Sequence, residues 1–170
     1  TKHHGLGNDF LVLDLDQVGH ESDWAVVARE LCDRRTGVGA DGLLLMKRLG
    51  ERHLEMTLHN SDGSRAEMSG NGIRCLVQAA HRADGSPDAA VYAVDTDAGR
   101  REVAVIGRPD GSMTQLRVDM GEVTDLPTPE GWDTLQCHPD RPVRHVSLGN
   151  PHSVVGVDDV DAVDLIELGS

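Results

Sequence analysis

Apolar residues recur along this chain at two spacings, and the spacing changes with each element. His53-Leu-Glu-Met-Thr-Leu-His59 alternates strictly, which puts Leu54, Met56 and Leu58 on one face of a strand. Phe10–Asp16 reads as a strand, and Leu43–Met46 as a buried strand. Helical spacing appears twice. Trp24, Val27, Ala28 and Leu31 define one face of a helix capped by Ser22 and running to about Arg34. Ile73, Leu76, Val77 and Ala80 keep the i, i+3, i+4, i+7 spacing of a buried helix face, which stops near Ala83-Asp84-Gly85. The pattern is then mostly β. Strands are predicted at Val91–Asp97, Glu102–Gly107 and Met113–Met120, with Arg108-Pro-Asp-Gly-Ser112 as the hairpin turn between the last two. Residues 126–142 hold four prolines and read as a connector. Two short strands, Val143–Leu148 and Ser153–Val157, flank Gly149-Asn150-Pro151-His152, and a helical pattern spans about 160–168.

This mixture predicts an α+β fold, and 170 residues suffice for one good-sized domain or one domain and part of another. Aromatic residues are only 2% of the chain, so the core is aliphatic. The net charge of −13 argues against nucleic acid or an anionic membrane as partner, since both attract basic patches. No signal-peptide pattern or membrane-length apolar run is present. The three cysteines, Cys32, Cys75 and Cys137, form no CxxC motif; as small buried hydrophobes they fit a reducing, cytoplasmic setting. Nine scattered histidines show no metal-ligand spacing, so no metal site is expected.

Candidate chemistry concentrates in the glycine-rich turns. Gly37-Val-Gly-Ala-Asp-Gly42 matches the dinucleotide fingerprint literally, but it follows a helix and precedes a strand, the reverse of the required order. It reads as a turn that returns the helix to a sheet. Ser69 stands immediately before Gly70-Asn71-Gly72 and the Ile73 helix. It is therefore either an ordinary N-cap or a reactive side chain beside free backbone N–H groups, and such groups suit a carboxylate or phosphate. Asn8, Asn60, Asn71 and Asn150 each lie in a glycine- or proline-flanked turn. Together they could fix the ammonium and carboxylate of an amino acid; singly, each is a common turn former.

The motifs taken together resemble the diaminopimelate epimerase family. The resemblance is carried by His4-Gly-Leu-Gly-Asn-Asp-Phe10, by residues 33–42 (Asp-Arg-Arg-Thr-Gly-Val-Gly-Ala-Asp-Gly), by Asn60-Ser-Asp-Gly-Ser64 with Met68-Ser-Gly-Asn-Gly-Ile-Arg-Cys75, and by Ser147-Leu-Gly-Asn-Pro-His152 with Val157-Asp-Asp-Val160. The resemblance implies two lobes, each a curved, mostly antiparallel sheet around a central helix, with the substrate between them. On that reading residues 1–112 are the first lobe, and 113–170 are the connector and the opening of the second. It also implies an isomerase with no cofactor, in which one cysteine of each lobe removes or returns the α-proton of diaminopimelate. Asn8, Asn60, Gly70, Asn71, Asn150 and His152 match substrate-contacting or neighbouring positions.

Two departures accompany the resemblance. Position 69, where the family has its first cysteine, is Ser69, and a hydroxyl is far less acidic than a thiol. The family's second cysteine and its Glu-Arg substrate clamp are not within the 170 residues. The chain is therefore expected to associate with itself or with a C-terminal segment, and its activity alone is expected to be impaired. Two rival readings stand beside this one: a non-catalytic amino-acid-binding or assembly module, and the related proline racemase and hydroxyproline epimerase enzymes.

Overall fold

The computed structural model describes residues 1–19, 23–85, 89–107, 114–134 and 141–164. The chain divides into two compact units, Thr1–Met120 and Gly121–Ser170.

The first unit is an eight-stranded sheet curled around one helix. In chain order the elements are β1 (Lys2–Gly5), β2 (Asn8–Asp14), a helical turn α1 (Leu15–Val18), α2 (Trp24–Cys32), β3 (Gly42–Gly50), β4 (His53–Asn60), β5 (Arg65–Ala66), α3 (Gly70–Ala83), β6 (Ala90–Thr96), β7 (Gly99–Gly107) and β8 (Gln115–Val118). The strand order is β1-β2-β3-β4-β6-β7-β8, with β5 against β4. The pairings β2–β3 and β4–β6 are parallel and the others antiparallel.

Alternation along the strands creates two cores. Phe10, Val12, Leu44, Met46, Leu54, Met56 and Leu58 face α3 and meet Ile73, Leu76, Val77 and Ala80 of that helix. Leu11, Leu43 and Leu45 point the other way and pack against Ala28 and Cys32 of α2, with Trp24, Val27 and Leu31 beside them. This explains why Leu43-Leu-Leu-Met46 is apolar without a break: both faces of β3 are covered. Tyr92, Val94, Val103 and Val105 complete the core around α3, and Leu116 and Val118 of β8 pack on it. The Ile73 helix is thus buried inside the sheet, as its apolar spacing predicts.

Element ends follow local chemistry. The Asp23 carboxylate accepts from the Val26 N–H and caps α2; the cap expected at Ser22 lies outside the described residues. The chain leaves α3 through Asp84 and Gly85, whose φ of +65° suits glycine. The hairpin turn expected at 108–112 also lies outside the described residues, but the flanking β7 and β8 pair antiparallel. The strand β1 was not signalled by alternation, because four residues are too few for a period to register.

The β1–β2 hairpin closes through Leu6 and Gly7, both at positive φ (55° and 92°). Such two-residue turns favour Asn-Gly, and a β-branched or bulky residue there is strained. Leu6 is also 96% exposed. Leu6→Asn is expected to raise the unfolding free energy by about 1 kcal/mol, read as a higher midpoint in thermal or urea unfolding.

The second unit contains a three-stranded antiparallel sheet ordered β11-β10-β9: β9 (Thr124–Asp125), β10 (Val143–Ser147) and β11 (Pro151–Val155). Short 3-10 turns lie at Trp132–Thr134 and Val160–Ala162. The Trp132 ring packs edge-on against His145, with centroids 4.7 Å apart. Residues 165–168 of the terminal helical pattern lie outside the described residues. Among the described residues no helix is long and apolar enough to cross a membrane.

Candidate functional site

The start of α3 is built by its own sequence. Met68 is buried in the core and anchors the approach. Ser69 is extended (φ −142°, ψ 119°), and its Oγ accepts from the Gly72 N–H at 3.0 Å while its carbonyl accepts from the Ile73 N–H at 2.9 Å. A Cβ on Gly72 would come within 3.1 Å of the Ser69 Cβ, so glycine makes room for this cap. The N–H groups of Gly70 and Asn71 precede the first intrahelical bonds and have no acceptor among the described residues. They lie at the positive end of a 14-residue helix, a place that favours an anion.

Asn8 and Asn71 are brought together above this helix end. The Asn71 Nδ2 donates to the Asn8 Oδ1 at 3.3 Å, and the Arg74 guanidinium, one turn along α3, donates to the Asn71 Oδ1. Asn8 in turn donates to the Asp41 carboxylate at 2.8 Å. Asn60 ends β4, where it pairs in register with Gly42; the adjacent Ser61 N–H donates to the Asp41 carbonyl at 3.0 Å. The Asn60 side chain itself donates to the Ser64 Oγ at 3.0 Å and closes its turn. Four of the expected positions, Asn8, Ser69, Gly70 and Asn71, therefore share one neighbourhood, and Asn60 joins it through Asp41.

Asn150 and His152 lie in the second unit, Asn150 in the turn between β10 and β11 and His152 in β11, opposite Val146. The His152 Nε2 and the Asn150 Oδ1 are 2.9 Å apart, and Gly149 carries the φ of +94° that the turn needs.

An ionic cluster beside the asparagines was not anticipated from sequence. Arg34 bridges Asp9 at 2.6 Å and Asp41 at 2.8 Å, and Lys2 reaches Asp9 at 3.0 Å. The Arg34 hydrogen bonds hold the Asp9 carboxyl well below the usual carboxylate range, against the opposing effect of desolvation. Asp9 and Asp41 are neighbours because β2 and β3 run parallel, with Phe10 opposite Gly42. That pairing is a tertiary fact, and no local spacing announces it.

The cysteines behave differently from a reactive thiol. Burial pushes the Cys75 thiol up to about 11 and also raises Cys32. Both are free and buried, and Cys75 sits in the core around α3, not at its N-terminus. Cys137 lies outside the described residues. Gly37–Gly42 connects α2 to β3, so this literal fingerprint turns a helix into a strand and cradles no helix N-terminus.

A family model described as diaminopimelate epimerase matches residues 1–126. The chain belongs to the diaminopimelate epimerase family. The diaminopimelate epimerase of Methanocella arvoryzae is 39% identical over 174 residues, covering 99% of this chain and 61% of that protein. This chain spans about three fifths of the length of the curated relatives it matches. Solved structures confirm the fold. A predicted epimerase from Pseudomonas aeruginosa matches with a TM-score of 0.70 at 16% identity, covering 96% of this chain and 62% of that one. A probable proline racemase from Agrobacterium radiobacter, solved with bound carbonate, matches at a TM-score of 0.61 and 16% identity, covering 99% of this chain and 52% of that one. The fold is therefore shared with a probable proline racemase, and it is the family model and the names of the curated relatives that show the diaminopimelate epimerase family.

Proposed function

We propose that this chain supplies the first-lobe half of a cofactor-independent amino-acid epimerase. The whole protein would invert the α-carbon of LL-diaminopimelate to the meso form, a step in lysine and peptidoglycan precursor synthesis. In this reading residues 1–112 are the first lobe, and 113–170 are the connector and the opening of the second. The observation that carries this reading is the start of α3. Gly70 and Asn71 offer free N–H groups to a carboxylate at a helix N-terminus, with Asn71 and Asn8 beside them.

In this reading the α-carboxylate rests on those N–H groups, which also stabilise the charge that develops when the α-proton leaves. Asn8, Asn60, Gly70 and Asn71 orient the substrate. Position 69 faces the reacting carbon and carries the acid/base group. Ser69 fills that place poorly, because a hydroxyl does not ionise near neutral pH without a dedicated base.

A second reading is favoured by one observation. The Ser69 Oγ is already engaged as the cap of α3. A chain that keeps the carboxylate site while its serine serves the helix would bind an amino acid without turning it over, as a binding or assembly module does.

Calorimetry tests the carboxylate claim that both readings share. The chain is expected to bind diaminopimelate weakly, and at least about tenfold more tightly than 1,5-diaminopentane, which lacks both carboxylates. Equal affinity for the two would contradict the proposal. Tighter binding of trans-4-hydroxy-L-proline than of diaminopimelate would move the assignment to the proline racemase branch.

A further inference from the structure

We infer that Arg74 and Asp41 are positioning residues, which from opposite ends fix the orientation of the Asn71 and Asn8 carboxamides; the inference rests on the half-site reading above. A carboxamide is nearly symmetric in shape, and a half-turn about its last torsion exchanges acceptor for donor. Neither asparagine can choose its orientation alone. Arg74 can only donate, so Asn71 must turn its Oδ1 toward Arg74. That leaves the Asn71 Nδ2 facing Asn8, which must answer with its Oδ1. The Asn8 Nδ2 then faces Asp41, whose carboxylate can only accept.

Every link is consistent with one direction, running from the guanidinium to the carboxylate. Reversal would set donor against donor at Arg74 and acceptor against acceptor at Asp41.

Both ends are held. Arg74 is on α3, three residues beyond Asn71 and on the same face. Asp41 also accepts from the Asp9 N–H at 2.9 Å and from Arg34 at 2.8 Å, and its carbonyl accepts from Ser61. Gly5 gives the relay room, since a Cβ there would lie 3.2 Å from the Asn71 Oδ1. Each carboxamide spends one N–H within the relay and keeps a second for a ligand. With orientation fixed, the Asn71 donor belongs to the same helix start as the free N–H groups of Gly70 and Asn71, and the Asn8 carboxamide is bonded to it. The edge that results suits the carboxylate of an α-amino acid and penalises a ligand offering only donors.

The test follows the side-chain amide signals of Asn8 and Asn71 in 15N-labelled protein, together with calorimetric affinity for diaminopimelate. Arg74→Met is expected to shift the carboxamide protons of Asn71 toward free-amide values, while Asn8 stays held by Asp41, and to weaken binding about tenfold. Arg74→Lys, still a pure donor, should preserve both. Asn71→Asp nearly conserves shape, accepts from Arg74, and cannot donate to Asn8. It should disturb the Asn8 signals even if Arg74→Met fails to fold. If Arg74→Met leaves the Asn71 signals unchanged, or Asn71→Asp leaves the Asn8 signals unchanged, the relay is overturned. If the signals respond as stated while no form binds diaminopimelate, the relay stands and the substrate reading falls.

Discussion

Ser69→Cys, placed in a polypeptide that also carries a second lobe, is expected to raise α-proton exchange of diaminopimelate into deuterated water by about two to four orders of magnitude. The chain with Ser69 should exchange little or not at all. The backbone proposed to hold the carboxylate is the same in both, because Gly70 and Asn71 would contribute N–H groups and not side-chain acidity. What changes is the base. A thiol ionises near pH 8.5 in the open and lower at a helix N-terminus, whereas a hydroxyl stays protonated throughout the working range. The substitution should also cost about 1 kcal/mol of stability, because the Ser69 Oγ is the cap acceptor for Gly72 and sulfur accepts less well. If exchange does not rise while diaminopimelate still binds, Ser69 is a helix cap alone and position 69 has no part in the chemistry.

Leu76→Ala is expected to lower the unfolding free energy by about 2–5 kcal/mol, the largest stability effect of any single truncation argued from this core. Leu76 is fully buried at the middle of α3, and the sheet wraps around that point. Because the helix is enclosed, its surroundings cannot easily collapse into the space left by three lost carbons. A domain of this size holds only about 5–15 kcal/mol in all, so the variant sits near the edge of folding. Val91, 48% exposed on β6, is the control; Val91→Ala should shift stability by about 0.5 kcal/mol or less. Urea unfolding distinguishes the two. A cost below about 1 kcal/mol for Leu76→Ala would mean that α3 is not the centre of the fold.

How much of this was legible in the sequence depended on the range of the interaction. The Ile73–Ala80 spacing marked α3 as the buried helix, and strict alternation marked β4, because both signals are local. The reversed order around Gly37–Gly42 was enough to refuse a nucleotide site. Caps were less legible: Asp23, not a signal from the periodic residues, fixes the start of α2. The two-sided burial of β3 was hinted at by Leu43-Leu-Leu-Met46, but the identity of α2 as its outer cover came only with the fold. The asparagines were singled out by their turns, and their motif context tied them to one family. Asp41, Arg34 and Arg74 were not singled out, because Asp9 and Asp41 meet only through the parallel β2–β3 pairing, and Arg74 reaches Asn71 only once α3 is wound. Charged residues in loops and on helices are the commonest surface residues, and nothing local distinguishes those that orient a neighbour.

The most direct measurement is a titration of 15N-labelled chain with diaminopimelate, followed through backbone amide shifts. The account predicts the largest shifts at Gly70, Asn71 and Gly72, saturable and reduced when the carboxylates are absent from the ligand. Shifts centred elsewhere, or none at millimolar diaminopimelate, would contradict the claim that the start of α3 holds the substrate carboxylate.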